Sequence, residues 1–184
     1  AQVPDIIIVD TSRTFLGVHD ENDSALVHTK LFPFMCLARN LNAVLWVVHH
    51  RRKADGDEGT DHAGSHAYVG ECDIAISMRE DTGRRRQLHI RSRLDESPNK
   101  LLVELSTDYT TYTVLGRPDA VVLEEVKRRA ITILTNDWQT TSQILEAFSP
   151  PRPSREQLRR ALRELPIERI EGHGPIPDQW RLTS

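Results

Sequence analysis

The side chain that first suggests chemistry is Asp10, which closes the aliphatic run of residues 6–9. Such a run of β-branched residues is typical of a strand buried on both faces of a parallel sheet. An acid at the carboxyl end of that strand lies where α/β sheets bind their ligands. A structural role is the alternative, because an acid after any buried strand can cap the following turn.

Two further groups of side chains have types and positions suited to phosphate chemistry. His49 and His50 directly follow residues 43–48, which predict a second buried strand. Arg91 and Arg93 alternate within a predicted strand, so both would lie on one of its faces. Guanidinium groups pair well with phosphate oxygens and keep their charge. The alternatives are a strand-end histidine bonded to backbone and a solvated row of arginines.

The elements that would position these groups can be predicted from the pattern of apolar residues. Residues 20–40 begin with acids and end near Arg39, and they predict an amphipathic helix that Pro33 should kink or split. Strand, helix and strand then form a parallel unit. Further strands are predicted at 73–79, 87–93, 100–105 and 109–115, with a hairpin turn at residues 81–83. The fold class is therefore α/β, a mostly parallel sheet with antiparallel additions.

A change of period at residues 116–119 divides the chain into domains 1–117 and 118–184. Helices are predicted over 120–134 and 141–148, and a third begins with the capping-box pattern at Ser154. Residues 166–170 and 179–182 predict a hairpin. Three helices and a hairpin indicate a small winged-helix domain.

The third helix of a winged helix is the one that enters the DNA major groove. Its outward side chains are the candidate nucleic-acid contacts Arg155, Gln157, Arg159, Arg160 and Arg163. Arg169 or His173 in the hairpin would add phosphate contacts. Residues 118–184 carry ten basic and ten acidic residues, however, so a protein-docking module or lid is the alternative.

In order, these features resemble the RecA-like P-loop ATPases of the RepA and DnaB replicative helicase group, over roughly residues 4–115. Residues 5–10 have the form of a Walker B segment. The resemblance implies that Asp10 holds Mg²⁺ through water and that His50 senses the γ-phosphate. It also implies that Arg91 and Arg93 reach the γ-phosphate bound by a neighbouring subunit. The complete protein is then expected to form a homo-oligomeric ring and to bind DNA.

The polar residues 51–66 fall where such proteins carry a mobile loop that contacts single-stranded DNA. Arg51, Arg52 and Lys53 would bind backbone phosphates there. Four acids make the loop net acidic, so a solvated loop is the alternative.

The sequence contains no Gly-x-x-x-x-Gly-Lys-Ser/Thr motif, so it lacks the loop that cradles ATP phosphates. ATP and Mg²⁺ are thus expected only in a complete core, and no cofactor is expected for this chain alone. We expect the 184 residues to belong to a longer protein. A non-enzymatic DNA-binding or docking protein, built on a degenerate ATPase scaffold, is the alternative function.

Composition limits the remaining possibilities. The net charge is −3, and 38% of the residues are hydrophobic without any apolar run near the roughly 18 residues that cross a bilayer. No membrane association is expected. Cys36 and Cys72 suggest neither a disulfide framework nor a zinc site, which favours a reducing, cytoplasmic location.

Overall fold

The computed structural model describes residues 3–18, 23–49 and 66–183. These residues form a mixed α/β structure that contains a two-stranded parallel sheet and a four-stranded antiparallel sheet. The chain separates into two compact units, Ala1–Ser77 with Ile90–Asn99 and Met78–His89 with Lys100–Ser184. The division into domains 1–117 and 118–184 stays a prediction.

The first unit begins with a strand, two helices and a second strand. Its elements are β1 (Ile6–Asp10), α1 (Ser12–Leu16), α2 (Ser24–Leu41), β2 (Val44–Val48) and α3 (His66–Glu71). β1 and β2 pair in parallel, with Ile6 opposite Val44 and Asp10 opposite Val48, as predicted. α2 is one helix that contains Pro33, so the predicted split does not occur. The short helix α1 was not predicted.

Local capping fixes the ends of α2. The Asp23 carboxylate accepts hydrogen bonds from the backbone N–H groups of Ala25 and Leu26, each at 3.0 Å. These bonds satisfy N–H groups that a helix start leaves without an intrahelical partner. Asn42 ends the helix in the left-handed conformation, which asparagine tolerates better than most residues.

The parallel sheet buries only one of its faces among the described residues. Val9 is 3% exposed and packs with Leu16, Val18, Val27 and Leu31, together with Tyr68. The opposite face consists of large apolar side chains that are each more than half exposed: Ile6 54%, Ile8 65%, Val44 58% and Trp46 56%. The prediction that β1 is buried on both faces is therefore wrong for the described chain, in which α1 and α2 pack against a single side.

The antiparallel sheet follows the predicted positions closely. Its strands are β3 (Ile74–Glu80), β4 (Arg85–Ser92), β5 (Lys100–Leu105) and β6 (Tyr112–Gly116), in that spatial order. Gly83 has φ 63 in the predicted turn between β3 and β4. Glycine readily adopts a positive φ, which explains why Gly83 occupies this turn position.

The C-terminal part of the second unit contains three helices and a three-stranded sheet. Its elements are α4 (Pro118–Ile133), β7 (Gln139–Thr140), α5 (Thr141–Ala147), α6 (Arg155–Glu164), β8 (Glu168–Ile170) and β9 (Gln179–Arg181). The sheet order is β7-β9-β8, and both pairings are antiparallel. The three predicted helices and the hairpin are present, and the two-residue strand β7 was not predicted.

A compact apolar core holds these helices against the sheet. The side chains of Phe148, Ile144, Leu158 and Trp180 are at most 1% exposed. The Trp180 indole N–H also donates to the Thr141 hydroxyl at 3.2 Å, which satisfies the only polar group of a buried tryptophan. Both α5 and α6 begin with complete capping boxes, as predicted for α6. The position of α6 is therefore fixed by packing and by its own capping.

The loop between β8 and β9 has no room for a side chain at Gly172. A Cβ there would lie 2.1 Å from the carbonyl oxygen of Ile176 and 2.6 Å from the carbonyl carbon of Pro177. Because both are backbone atoms, we expect Gly172→Ala to lower the free energy of unfolding by about 1–3 kcal/mol. Thermal and urea unfolding measure this change.

Gly174 provides the matched control for this loop. It has φ +61 but open space around its Cβ position, and asparagine tolerates that conformation. Gly174→Asn should therefore change stability by less than Gly172→Ala. If both variants unfold like the original protein, the close approach at Gly172 is wrong.

Candidate functional site

The Asp10 carboxylate lies at the exposed carboxyl end of β1. Side chains alternate along a strand, so Asp10 shares the exposed face with Ile6 and Ile8. Within the described ranges it makes no hydrogen bond or ion pair, and the cap of α1 at Thr11 has no side-chain hydrogen bond. Asp10 therefore does not serve as the turn cap that the sequence left as an alternative.

His49 directly follows β2, at the same sheet edge as Asp10, because Asp10 pairs with Val48. Its Nδ1 atom lies 2.9 Å from the hydroxyl of Ser12, a side chain that is fully buried. Its ring stacks on Tyr68, with centroids 4.9 Å apart and planes at 29°. His49 thus connects the two strand ends to α3.

Neither Ser12 nor Tyr68 was a candidate from the sequence. Ser12 follows Asp10 by two residues, which was the one signal available. The predicted γ-phosphate sensor His50 lies outside the described residues, and so do the loop cations Arg51, Arg52 and Lys53. Their roles stay predictions.

The two candidate finger arginines have different surroundings. Arg91 is exposed near the end of β4 and has no hydrogen bond or ion pair in the described part of the chain. Arg93 lies just beyond β4 and donates to the carbonyl oxygen of Gly70 at 2.7 Å. It also contacts the carboxylate of Asp73 at 3.4 Å. Arg91 is therefore the more available of the two for an external phosphate.

The basic run at residues 84–86 is used for structure. Arg84 donates to the carbonyl oxygen of Leu105 at 3.0 Å. Arg85 lies 3.5 Å from the Glu104 carboxylate, and Arg86 donates to neighbouring backbone carbonyls. Arg91 is therefore the one cation of β4 without a hydrogen bond or ion pair to another residue that the structure describes.

The candidate nucleic-acid contacts of α6 are all exposed: Arg155, Gln157, Arg159, Arg160 and Arg163. Opposite them, Leu158, Ala161 and Leu162 are 0% exposed. Spacing by four places Arg155, Arg159 and Arg163 in one row along the helix. We call this row the arginine row.

Hydrogen bonds and ion pairs distinguish the members of this face. Arg159 and Arg163 have no ion pair or hydrogen bond among residues 66–183, whereas Arg155 donates to the Ser142 hydroxyl. Arg160 lies 3.6 Å from Glu164. The amide oxygen of Gln157 accepts the capping hydrogen bond from the backbone N–H of Ser154 at 2.8 Å. Arg159 and Arg163 are thus the cations left available to solvent.

Most acids of the C-terminal region are held by other cations. Lys127 contacts Glu164 at 2.6 Å and Glu124 at 2.7 Å. The hydrogen bond to Glu124, and then the one to Glu164, raises the pKa of Lys127. The hydrogen bond from Lys127 in turn lowers the pKa of Glu164. Arg181 similarly contacts Glu168 at 2.5 Å. A formal charge balance near zero therefore coexists with an arginine row whose members make no ion pair within residues 66–183.

The hairpin cation Arg169 is engaged in its own loop. It contacts Glu171 at 3.1 Å and Asp178 at 3.3 Å, and it lies over the Trp180 ring. The hydrogen bond from the backbone N–H of Gly172 lowers the pKa of Asp178, and the positive charge of Arg169 lowers it further. Of the two predicted hairpin contacts, exposed His173 is the one without such partners in the described chain.

The chemistry of the Asp10 edge fits one part of a magnesium nucleotide site. A free carboxylate suits Mg²⁺, which is bound by one or two carboxylates and otherwise keeps waters and phosphate oxygens as ligands. The described residues contain no group of three or more His, Cys, Asp or Glu that could hold a metal ion. The phosphate-cradling loop is absent from the sequence itself. Asp10 can thus supply a single ligand and no phosphate cradle.

Comparisons with known proteins add no assignment. The sequence matches no model of a known protein family, and a search of curated proteins found no match. Among the helices in the described ranges, none is long and apolar enough to span a membrane.

Proposed function

We propose that this chain is part of an ATP-dependent DNA helicase or DNA-remodelling motor of RepA-like type. The observation that carries the proposal is the Asp10 carboxylate, which makes no hydrogen bond or ion pair with the described residues and ends a parallel strand whose neighbour is followed by His49. Ligands of α/β sheets bind at this edge. Mg²⁺, when bound, neutralises charge on the transferred phosphate, and Asp10 would hold it through water.

The exposed apolar face of β1 and β2 supports a larger core. Parallel sheets occur almost only with both faces covered, and four large apolar side chains are more than half exposed here. The P-loop half of a RecA-like core would cover them and would supply the missing phosphate cradle. A RecA-like sheet is therefore our proposal for the first unit together with residues outside these 184.

Within this proposal, Arg91 acts on the γ-phosphate bound by a neighbouring subunit of a homo-oligomeric ring. Its exposure, and its lack of partners among residues 3–18, 23–49 and 66–183, suit a group that acts outside its own chain. Arg93 contributes by holding α3 rather than by direct contact, since its guanidinium already donates to Gly70. His50 remains the proposed phosphate sensor.

We further propose that residues 118–184 form a winged helix that binds double-stranded DNA. The order of helix, short strand, two helices and two strands, with β9 between β7 and β8, supports this fold. In it α6 would enter the major groove, with Arg159 and Arg163 on phosphates or base edges. The same observations favour a second candidate function, a DNA-binding protein without ATPase activity.

The test of the motor is ATP hydrolysis by the product of the complete gene. We expect hydrolysis that requires Mg²⁺ and is stimulated by DNA. DNA binding without magnesium-dependent hydrolysis would reject the motor and leave the second candidate. Absence of both activities would leave the protein-docking alternative. The cytoplasmic location stays a prediction from the sequence.

A further inference from the structure

Helix α3 receives contacts from three other segments of the first unit. The ring of its Tyr68 stacks on His49 at the end of β2. Its Glu71 carboxylate lies 2.9 Å from His28 of α2. The carbonyl oxygen of Gly70 accepts a hydrogen bond from Arg93. A six-residue helix would be marginal by itself, so these contacts determine where it lies.

The first step of this network joins the Asp10 edge to His49. Ser12 opens α1 two residues after Asp10, is fully buried and lies 2.9 Å from Nδ1 of His49. Breaking this part-buried hydrogen bond is costly, because it would leave the buried Ser12 hydroxyl without that partner. A change in the backbone after Asp10 is therefore transmitted to the imidazole ring.

The second step joins His49 to α3. Tyr68 is 8% exposed and belongs to the core that contains Val9 and Val27. Close-packed interiors transmit displacement because they contain few voids. The stack of Tyr68 on His49 therefore provides a packed connection from the end of β2 to α3.

The third step joins α3 to the arginine pair. The Arg93 guanidinium donates to Gly70 at 2.7 Å and contacts Asp73 at 3.4 Å. These contacts fix the chain just beyond β4, two residues after the unengaged Arg91. A shift of α3 therefore changes how Arg91 is presented.

We propose that Ser12, His49 and Tyr68 are positioning residues that couple the Asp10 edge to the Arg91 segment through α3. The coupling itself is a property of this chain. Its role, which rests on the proposed motor function, is to link the nucleotide state of one subunit to the arginine that this subunit offers to its neighbour.

The first test follows the Arg93 side chain by NMR in the 184-residue chain, without nucleotide. Ser12→Ala and Tyr68→Leu should each speed hydrogen exchange at the Arg93 Nη2 group by about fivefold or more, because this group donates to the carbonyl oxygen of Gly70 and the contact loosens. Tyr68→Phe keeps the stacked ring and should leave the exchange rate unchanged. Thr14→Ala, at an exposed position of α1, is the control for Ser12→Ala.

These outcomes decide the coupling without reference to ATP. If Ser12→Ala and Tyr68→Leu are folded and leave the Arg93 signal unchanged, the network does not exist. If Tyr68→Phe loosens Arg93 as much as Tyr68→Leu, the stacked ring is not the connection. His49→Gln, which removes the ring at the other side of the stack, keeps the test decisive should Tyr68→Leu fail to fold.

A second test applies to the product of the complete gene. Ser12→Ala should lower kcat for ATP hydrolysis and leave KM for ATP within about twofold, because positioning of the arginine affects the transition state and not binding. An unchanged kcat would overturn the role of the network in hydrolysis. If the original protein hydrolyses no ATP, the motor proposal fails and the NMR result still decides the coupling.

Discussion

Replacing Arg91 with alanine should lower kcat for DNA-stimulated ATP hydrolysis by about a thousandfold or more, with KM for ATP little changed. An arginine that stabilises the transferring phosphate from a neighbouring subunit contributes about 10³–10⁵ to kcat. Arg91 is suited to this role because it is exposed at the end of β4 and unengaged among the described residues. Steady-state hydrolysis by the product of the complete gene measures the effect.

Arg84→Ala is the matched control, since Arg84 is also exposed but donates to the carbonyl of Leu105. It should hydrolyse ATP at nearly the original rate.

Mixing two inactive variants provides a sharper test of whether Arg91 acts between subunits. Rings that combine Arg91→Ala and Asp10→Asn subunits contain some interfaces with both residues intact, so the mixture should be more active than either variant alone. A mixture that stays as inactive as its components would contradict action across the interface.

Replacing both Arg159 and Arg163 with alanine should weaken binding of double-stranded DNA by about tenfold or more. The slope of log K against log salt should also become shallower by about 2, since each lost phosphate contact removes about 0.9 from it. Neither arginine makes a hydrogen bond or ion pair within residues 66–183, and the charge of Arg159 also helps to lower the pKa of Asp178. Fluorescence anisotropy with a labelled duplex at several salt concentrations measures both quantities.

Arg160→Ala is the control on the same helix. Arg160 pairs with Glu164, which also contacts Lys127, so its removal should change DNA affinity by less than about threefold. Equal losses from Arg160→Ala and from the double variant would indicate a diffuse charge effect instead of the arginine row. If the original chain binds no duplex, residues 118–184 do not act as a DNA-binding winged helix.

Local pattern predicted most of the secondary structure. The run that ends at Asp10 and the strand that ends before His49 are parallel neighbours, and the four later strands lie close to their predicted ranges. The capping box at Ser154 also correctly marks the start of α6. These features depend on periodicity and on short-range hydrogen bonds, which a sequence displays directly.

Contacts between distant segments could not be predicted in the same way. Ser12 and His49 are 37 residues apart, and nothing in either segment indicates that a buried serine meets that ring. The pairing of Arg169 with Asp178 likewise depends on the path of the loop around Gly172. The sequence therefore identified both arginines as candidates, and only the structure showed that Arg93 already donates to Gly70 whereas Arg91 has no partner among the described residues.

Burial of the parallel strands shows another limit of local pattern. The alternating apolar residues Ile6, Ile8, Val44 and Trp46 predict a covered face, yet all four are more than half exposed in the described chain. The apolar pattern indicates that these strands favour a buried environment on both faces. It does not show which segment provides the cover.

The formal net charge of the C-terminal region does not indicate the arginine row, because it does not show which charges are paired. Residues 118–184 balance in total charge, but Lys127, Arg169 and Arg181 hold much of the acidic charge in local pairs. Net charge sums over all faces, whereas a nucleic acid meets only one of them. Arg159 and Arg163 stand out only when the pairs are known.

ATP hydrolysis by Asp10→Asn, measured beside Asp5→Asn in the product of the complete gene, tests the proposed magnesium site most directly. Asp5 is an exposed acid just before the amino end of β1, so it matches Asp10 in charge and differs in the sheet edge that it occupies. We expect Asp10→Asn to lose magnesium-dependent hydrolysis and Asp5→Asn to retain it. Equal hydrolysis by both variants would show that Asp10 does not hold the magnesium ion.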